Sequence, residues 1–191
     1  LRQWECLGDG TAMGRWLCLL GVLVLVWLGG CSAQGGLRVY SDPRGEFRFA
    51  YPNGMTPTAT GSLKERVVLL RDLVNEGENI SLMISPFDRA EQISELGSPT
   101  EVGQRVAEKM IAPPDSGRTT TLVNAGSLVV NEQPYYLLEY ETHLGSQVRH
   151  EVVNVTIQHH KLYTLTASTD DRRWPQVKDQ FYAVAQSFHV S

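Results

Sequence analysis

The chain has 191 residues, 17 basic against 21 acidic, for a formal net charge of −4 at pH 7. That mild acidity, with no basic block and no interleaving of basic with aromatic residues, excludes a nucleic-acid-binding module. The three cysteines are Cys6, Cys18 and Cys31. The first two fall in the N-terminal leader described next, so no disulfide, thiolate nucleophile or cysteine metal site is expected in the remainder.

Residues 17–28 are almost purely apolar. The run is too short for a membrane-spanning helix, which takes roughly 20 residues. It follows Arg15 closely, as the apolar core of a secretory signal follows its charged region. Leu28-Gly29-Gly30-Cys31 resembles a bacterial lipobox, in which a peptidase cuts before the cysteine and the thiol carries a diacylglyceryl group. The alternative is a plain signal peptide with an incidental cysteine. Met13 is read as the biological start. Residues 1–30 are then upstream residues plus a lipoprotein signal peptide that is removed, and 31–36 a lipidated, flexible tether. Residues 37–191 form one domain of ordinary size.

In that domain, residues 42–45 (DPRG) signal a turn. Phe47, Phe49 and Tyr51 alternate with Arg48 and Ala50, as a strand does, and Pro52-Asn53-Gly54 ends it. Residues 66–74 and 79–86 are apolar, β-branched runs around Asn75-Glu76-Gly77-Glu78, which predicts a hairpin. Ser98 and Glu101 form a capping box with Pro99 at the first helical position, and Val102, Val106 and Met110 keep helical spacing. Pro113-Pro114 lies beyond the end. Residues 119–130 return to strand character, broken around Asn124-Ala125-Gly126 and ended near Asn131-Glu132.

Three strands follow, separated by Gly145-Ser146 and His159-His160. With two-residue turns at both places, Glu141 faces His150 and His150 faces Thr169. One face then carries Tyr136, Leu138, Val153, Val155, Ile157 and Leu162. The opposite face carries Tyr135, Leu137, Val152, Tyr163, Leu165 and Ala167. An antiparallel sheet apolar on both faces needs cover on both. Trp174, Val177, Phe181, Val184 and Phe188 follow three-and-four spacing, with Asp170 or Asp171 as N-cap, and predict a covering helix. The helix at Ser98 covers the other face. The expected class is α+β, an α/β/α sandwich around a central antiparallel sheet with helices on both faces.

The stretches VYSDPRGEFRFAYPNGM, ISELGSPTEVGQRV, YYLLEYE, RHEVVNVTIQHHKLYTLTAS and DRRWPQV, closed by SFHV, run in this order through nearly all of residues 37–191. In them the chain resembles the PsbP family, the lumenal extrinsic proteins of photosystem II, and most closely its cyanobacterial lipoprotein branch. The resemblance implies an α/β/α sandwich. It also implies a non-catalytic, monomeric accessory or assembly protein, lipid-anchored at Cys31 on the lumenal side of the thylakoid membrane. Its partners would be photosystem II core subunits and assembly intermediates. The loop at Gly145-Ser146 is shorter than in plant members. The long basic N-terminal segment of those members is missing, so direct calcium and chloride retention is not implied.

Plant members hold a divalent metal through a histidine and an acid at positions matching His150 and Asp171. The predicted register supports the pairing, since Asp171 lies two residues beyond the partner of His150, on the same face. Diagonal neighbours are about 7–8 Å apart, a span that an imidazole and a carboxylate bridge through a metal. Glu141, opposite His150, is the candidate third ligand. The expected site is therefore His150, Asp171 and Glu141, for zinc or manganese, with no cofactor required. The plainer readings are a helix cap for Asp171 and a surface position for His150. His159-His160 is read as an exposed turn. No G-x-S-x-G, H-E-x-x-H or phosphate-binding glycine loop occurs, and no enzyme activity is expected.

Overall fold

The structure, a computed structural model, describes residues 36–61 and 66–191. The signal segment, the lipobox, Cys31 and the tether to residue 35 lie outside the described residues. In chain order the elements are β1 (Leu37–Ser41), β2 (Phe47–Pro52), β3 (Met55–Gly61), β4 (Arg66–Asp72) and β5 (Asn79–Pro86). A short 3₁₀ turn (Ile93–Leu96) precedes helix α1 (Pro99–Val106), which continues into a π-turn (Ala107–Ile111). Then come β6 (Arg118–Val130), β7 (Gln133–Leu144), β8 (Gln147–Gln158), β9 (Lys161–Asp170), helix α2 (Trp174–Gln186) and β10 (His189–Val190). Among the described residues no helix is long and apolar enough to cross a membrane.

The strands build two antiparallel sheets, one in the order β1-β2-β10 and one in the order β3-β4-β5-β9-β8-β7-β6. The predicted meander and its register are present: Glu141 pairs with His150, and His150 with Thr169. The turns that set this register carry the expected dihedrals. His159 and His160 have φ of 51° and 57°, as a two-residue type I′ hairpin requires, and Gly145 supplies φ 59° at the other turn.

Side-chain alternation then sorts the large sheet's two faces. Tyr135, Val152, Tyr163, Leu165 and Ala167 join one core with Ile80, Leu82, Phe49 of the small sheet, and Trp174, Phe181 and Phe188. Tyr136, Leu138, Val153, Val155 and Ile157 join a second core with Val102, Val106 and Ile111. Buried Asn154 ties the sheet to α2 by donating from Nδ2 to the Ala185 carbonyl at 2.7 Å.

The architecture is a mixed fold, mostly strands in two antiparallel sheets with two helices. One core is shared between α2 and the small sheet, which the sequence pattern did not separate from the large one. The other core draws its helical side chains from the short α1 and the π-turn. The π-turn also corrects the spacing expected beyond Val106. Its extra residue moves the buried position from Met110 to Ile111. The break expected near Asn124 is a bulge: the register shifts between Leu122 and Asn124, and β6 runs on. Gly103 lets α1 approach closely, since a Cβ there would lie 2.9 Å from Leu122 Cδ2, and its carbonyl accepts from the Tyr140 hydroxyl at 2.8 Å.

Candidate functional site

Strand β8 points His150 to the α2 side of the sheet, and β9 brings the chain back so that Asp171 lies one step past the ladder. The Asp171 amide donates to the Val148 carbonyl at 3.1 Å, and the turn that follows is closed by Arg173 N–H to Asp170 O at 3.0 Å. In this frame His150 Nε2 and Asp171 Oδ1 are 2.9 Å apart. Neither Asp170 nor Asp171 is the helix cap. Residue Arg173 stands at that position, with no side-chain cap bond. The His150 side chain is only 8% exposed, whereas that of Asp171 is 65% exposed. His150 is a buried ring with one edge turned to a solvated acid, not a surface residue.

Trp174 opens α2 and covers the imidazole. The two rings are parallel, with 1° between planes and 4.9 Å between centroids. One and two turns further on, Lys178 and Tyr182 continue the same helix face. Lys178 Nζ lies 5.2 Å from the Trp174 ring and 5.8 Å from that of Tyr182, a cation between two aromatic faces. Beneath them Glu139 of β7 is buried; it accepts from Lys178 Nζ at 3.1 Å and from the Tyr182 hydroxyl. Burial first, then the hydrogen bond to Glu139, raise the Tyr182 phenol to about 12. Sequence reasoning treated Trp174 only as core and passed over Lys178 and Tyr182. Their i, i+4, i+8 spacing was the available signal.

Two of the three expected metal ligands come together and the third does not. Glu141 stands opposite His150 in register, but its carboxylate is hydrogen-bonded to His143 Nε2 at 2.9 Å. Among the described residues no group of three or more His, Cys, Asp and Glu side chains is arranged to hold a metal. The donor set at this site is two groups, already joined by a hydrogen bond. It does not fit the three-ligand zinc or manganese site expected from the register. The His150 tautomer follows from the same geometry. Nε2 carries the proton that Asp171 accepts, because Nδ1 is buried and has no partner among the described residues. An N–H placed there would go unpaired at a cost of about 1–3 kcal/mol. No hydroxyl or thiol among the described residues hydrogen-bonds to this ring, although Thr169 is its cross-strand neighbour.

A second concavity of about 560 Å³ opens on the other face of the sheet, between the π-turn and strands β5 and β9. Hydroxyls of Ser81, Thr164, Thr166 and Ser168 line its floor, with Arg149 and Glu151 at one end. Glu151 accepts from Thr142 Oγ1 at 2.6 Å, and burial pushes its carboxyl above the ordinary range. Arg149 is held at that end by Ser168 Oγ of the floor, the Gly77 carbonyl and Asp170 Oδ1.

Comparisons with known proteins agree with one another. The family described as PsbP matches residues 35–190. CyanoP of Thermosynechococcus vestitus (strain BP-1) is 36% identical over 173 residues, covering 88% of this chain and 93% of that protein. PsbP-like protein 1, chloroplastic, of Arabidopsis thaliana is 26% identical over 176 residues, covering 92% of this chain and 73% of its own length. The solution structure of CyanoP from Synechocystis sp. PCC 6803 superposes with a TM-score of 0.69 at 36% identity, covering 86% of this chain and 99% of that one.

Proposed function

The chain belongs to the PsbP family, and from that premise we propose that it is a non-catalytic accessory and assembly protein of photosystem II. It is held by a lipid on Cys31 at the lumenal side of the thylakoid membrane and docks on core subunits of the complex. The observation that carries this reading is the family match over residues 35–190, joined to 36% identity with a cyanobacterial relative over most of both chains. The anchor is supported by the sequence Leu28-Gly29-Gly30-Cys31. Its physical effect is to raise the concentration of a weak binder near a membrane partner. The candidate docking patch is the end of the domain around Trp174, Lys178 and Asp171. There the exposed Asp171 and the half-exposed Lys178 offer both charges for orientation rather than for bulk affinity.

An affinity-tagged chain in isolated thylakoids tests the reading. It should co-purify with photosystem II assembly intermediates, and Cys31→Ser should release it from membranes. Recovery of the tagged protein away from every photosystem II fraction sinks the proposal. A second reading is a zinc- or manganese-dependent role centred on His150 and Asp171, in which the ion would replace their 2.9 Å hydrogen bond and take its remaining ligands from outside this pair. It requires stoichiometric metal binding that His150→Ala abolishes together with function.

A further inference from the structure

The β4–β5 hairpin presents the two most exposed large apolar side chains among the described residues, Leu73 at 74% and Val74 at 87%. They are held out rather than left loose. Asp72 Oδ1 accepts from the amides of Val74 and Asn75 at 2.9 and 2.6 Å, and the Glu78 amide donates to the Asn75 carbonyl at 2.8 Å. Glu78, buried, is pinned by Arg173 Nε. A tip braced in this way keeps two aliphatic side chains in water, which costs solvation free energy unless something covers them.

The point at which the chain enters the domain names the cover. The Gly36 carbonyl accepts from Asn53 N–H at 3.0 Å. The next residue, Gly54, passes so close to Asp72 that a Cβ on it would lie 3.3 Å from Oδ2. Met55 then pairs with Asp72 itself. Gly36, Asn53, Gly54 and Asp72 thus form a chain of neighbours ending at Leu73. Two further exposed apolar side chains, Leu37 and Leu144, lie at this same end of the sheets. Five residue steps separate Cys31 from Gly36, a reach of at most about 18 Å even when fully extended.

We infer that the Leu73–Val74 tip is a second membrane contact, inserted into the lipid surface to which Cys31 tethers the chain. The inference rests on the lipid anchoring proposed above. Covalent acylation and an apolar loop would then act as two signals that together hold one orientation, as stable peripheral attachment commonly requires. Around the tip Arg71, Arg149, Arg172 and Arg173 stand against Asp72, Glu76, Glu78, Asp170 and Asp171, with Arg173 paired to Glu78 and Arg149 to Asp170, so no basic excess surrounds it and the contact is apolar insertion that needs no anionic lipid. It sets the β4–β5 tip toward the membrane and the His159-His160 turn away from it, and leaves the half-exposed Lys178 on α2 beside the lipid surface rather than under it, where core subunits reach it.

The test couples a synthetic diacyl chain to Cys31 of the chain from residue 31 onward, which supplies the anchor whether or not a cell does. Val74→Trp reports on the tip, and Glu132→Trp, in the hairpin turn at the opposite end, is the control. On vesicles of zwitterionic lipid, the emission that the tryptophan at 74 adds to that of Trp174 in the parent chain should shift to the blue and be quenched by acyl chains brominated near the headgroup. The one at 132 should do neither, and Leu73→Asp within Val74→Trp should abolish the quenching. If Val74→Trp melts early, Leu73→Trp serves in its place. Equal, water-like emission from both positions overturns the inference. So does protection of the tip that appears only when photosystem II cores are added, since the cover is then protein. Mass spectrometry of Cys31 in chain purified from cells tests the lipid separately, so loss of one reading is distinguishable from loss of the other.

Discussion

The imidazole of His150 has its face on Trp174 and its Nε2 edge on Asp171, and these two contacts differ in worth. The stack is buried, whereas the acid is solvated, so the hydrogen bond is screened by water. A double-mutant cycle with His150→Ala and Asp171→Ala, read by urea unfolding, should give a coupling of no more than about 1 kcal/mol. Glu151 on the opposite face behaves differently. Burial raises its carboxyl in the folded state above the ordinary value, so the folded protein favours the protonated form. Its contribution is fully present below the unfolded value and is lost as pH rises through the raised folded value. Glu151→Gln keeps an acceptor for Thr142 Oγ1 and removes the buried charge. The variant should be more stable than the parent at pH 7, with the advantage vanishing toward pH 4. Urea midpoints measured across that range decide it.

At the scale of elements, α1 depends on its first turn more than its length suggests. It has only eight residues, which is marginal for a helix without tertiary support. Ser98 Oγ accepts from the Glu101 amide, and Glu101 Oε2 accepts from the Ser98 amide at 2.8 Å, so both orphan donors are satisfied. The Ser98 amide and hydroxyl, both donating to Glu101 Oε2, hold that carboxyl below its ordinary value. Ser98→Ala should cost about 1 kcal/mol, a fall in Tm of roughly 2–4 °C for a domain of this size by calorimetry. The π-turn behind α1 carries Ile111 into the core where an unbroken helix would have offered Met110. Hydrophobic spacing read at 3.6 residues per turn does not register that extra residue.

For the whole molecule, stability comes from two cores of hydrophobic side chains on opposite faces of one sheet. Leu70, Ile80, Leu82, Phe181 and Phe188 in one core, and Ile93, Tyr140 and Ile157 in the other, are fully buried. Chelators should therefore leave the Tm unchanged, whereas a domain that folds around its ion would lose most of its stability. A large drop in Tm with a chelator, restored by added zinc or manganese, would show the two-core account to be incomplete.

What the sequence determined by itself were the features that local chemistry dictates. Two-residue turns at Gly145-Ser146 and His159-His160, together with period-two alternation, set the register of β7, β8 and β9. That register in turn brought His150 beside Asp171. The capping box and the apolar face of α2 were legible for the same reason, since their partners lie within a few residues. Long-range placement was legible only in the tertiary structure. Strands β1 and β10 pair with β2 from opposite ends of the domain, so no local pattern could separate the small sheet from the large one. Glu141 was on the right face and in the right register for His150, yet its carboxylate turned to His143 instead. The backbone sets which face a side chain takes. Which of several polar neighbours it then bonds is decided by the packing around it.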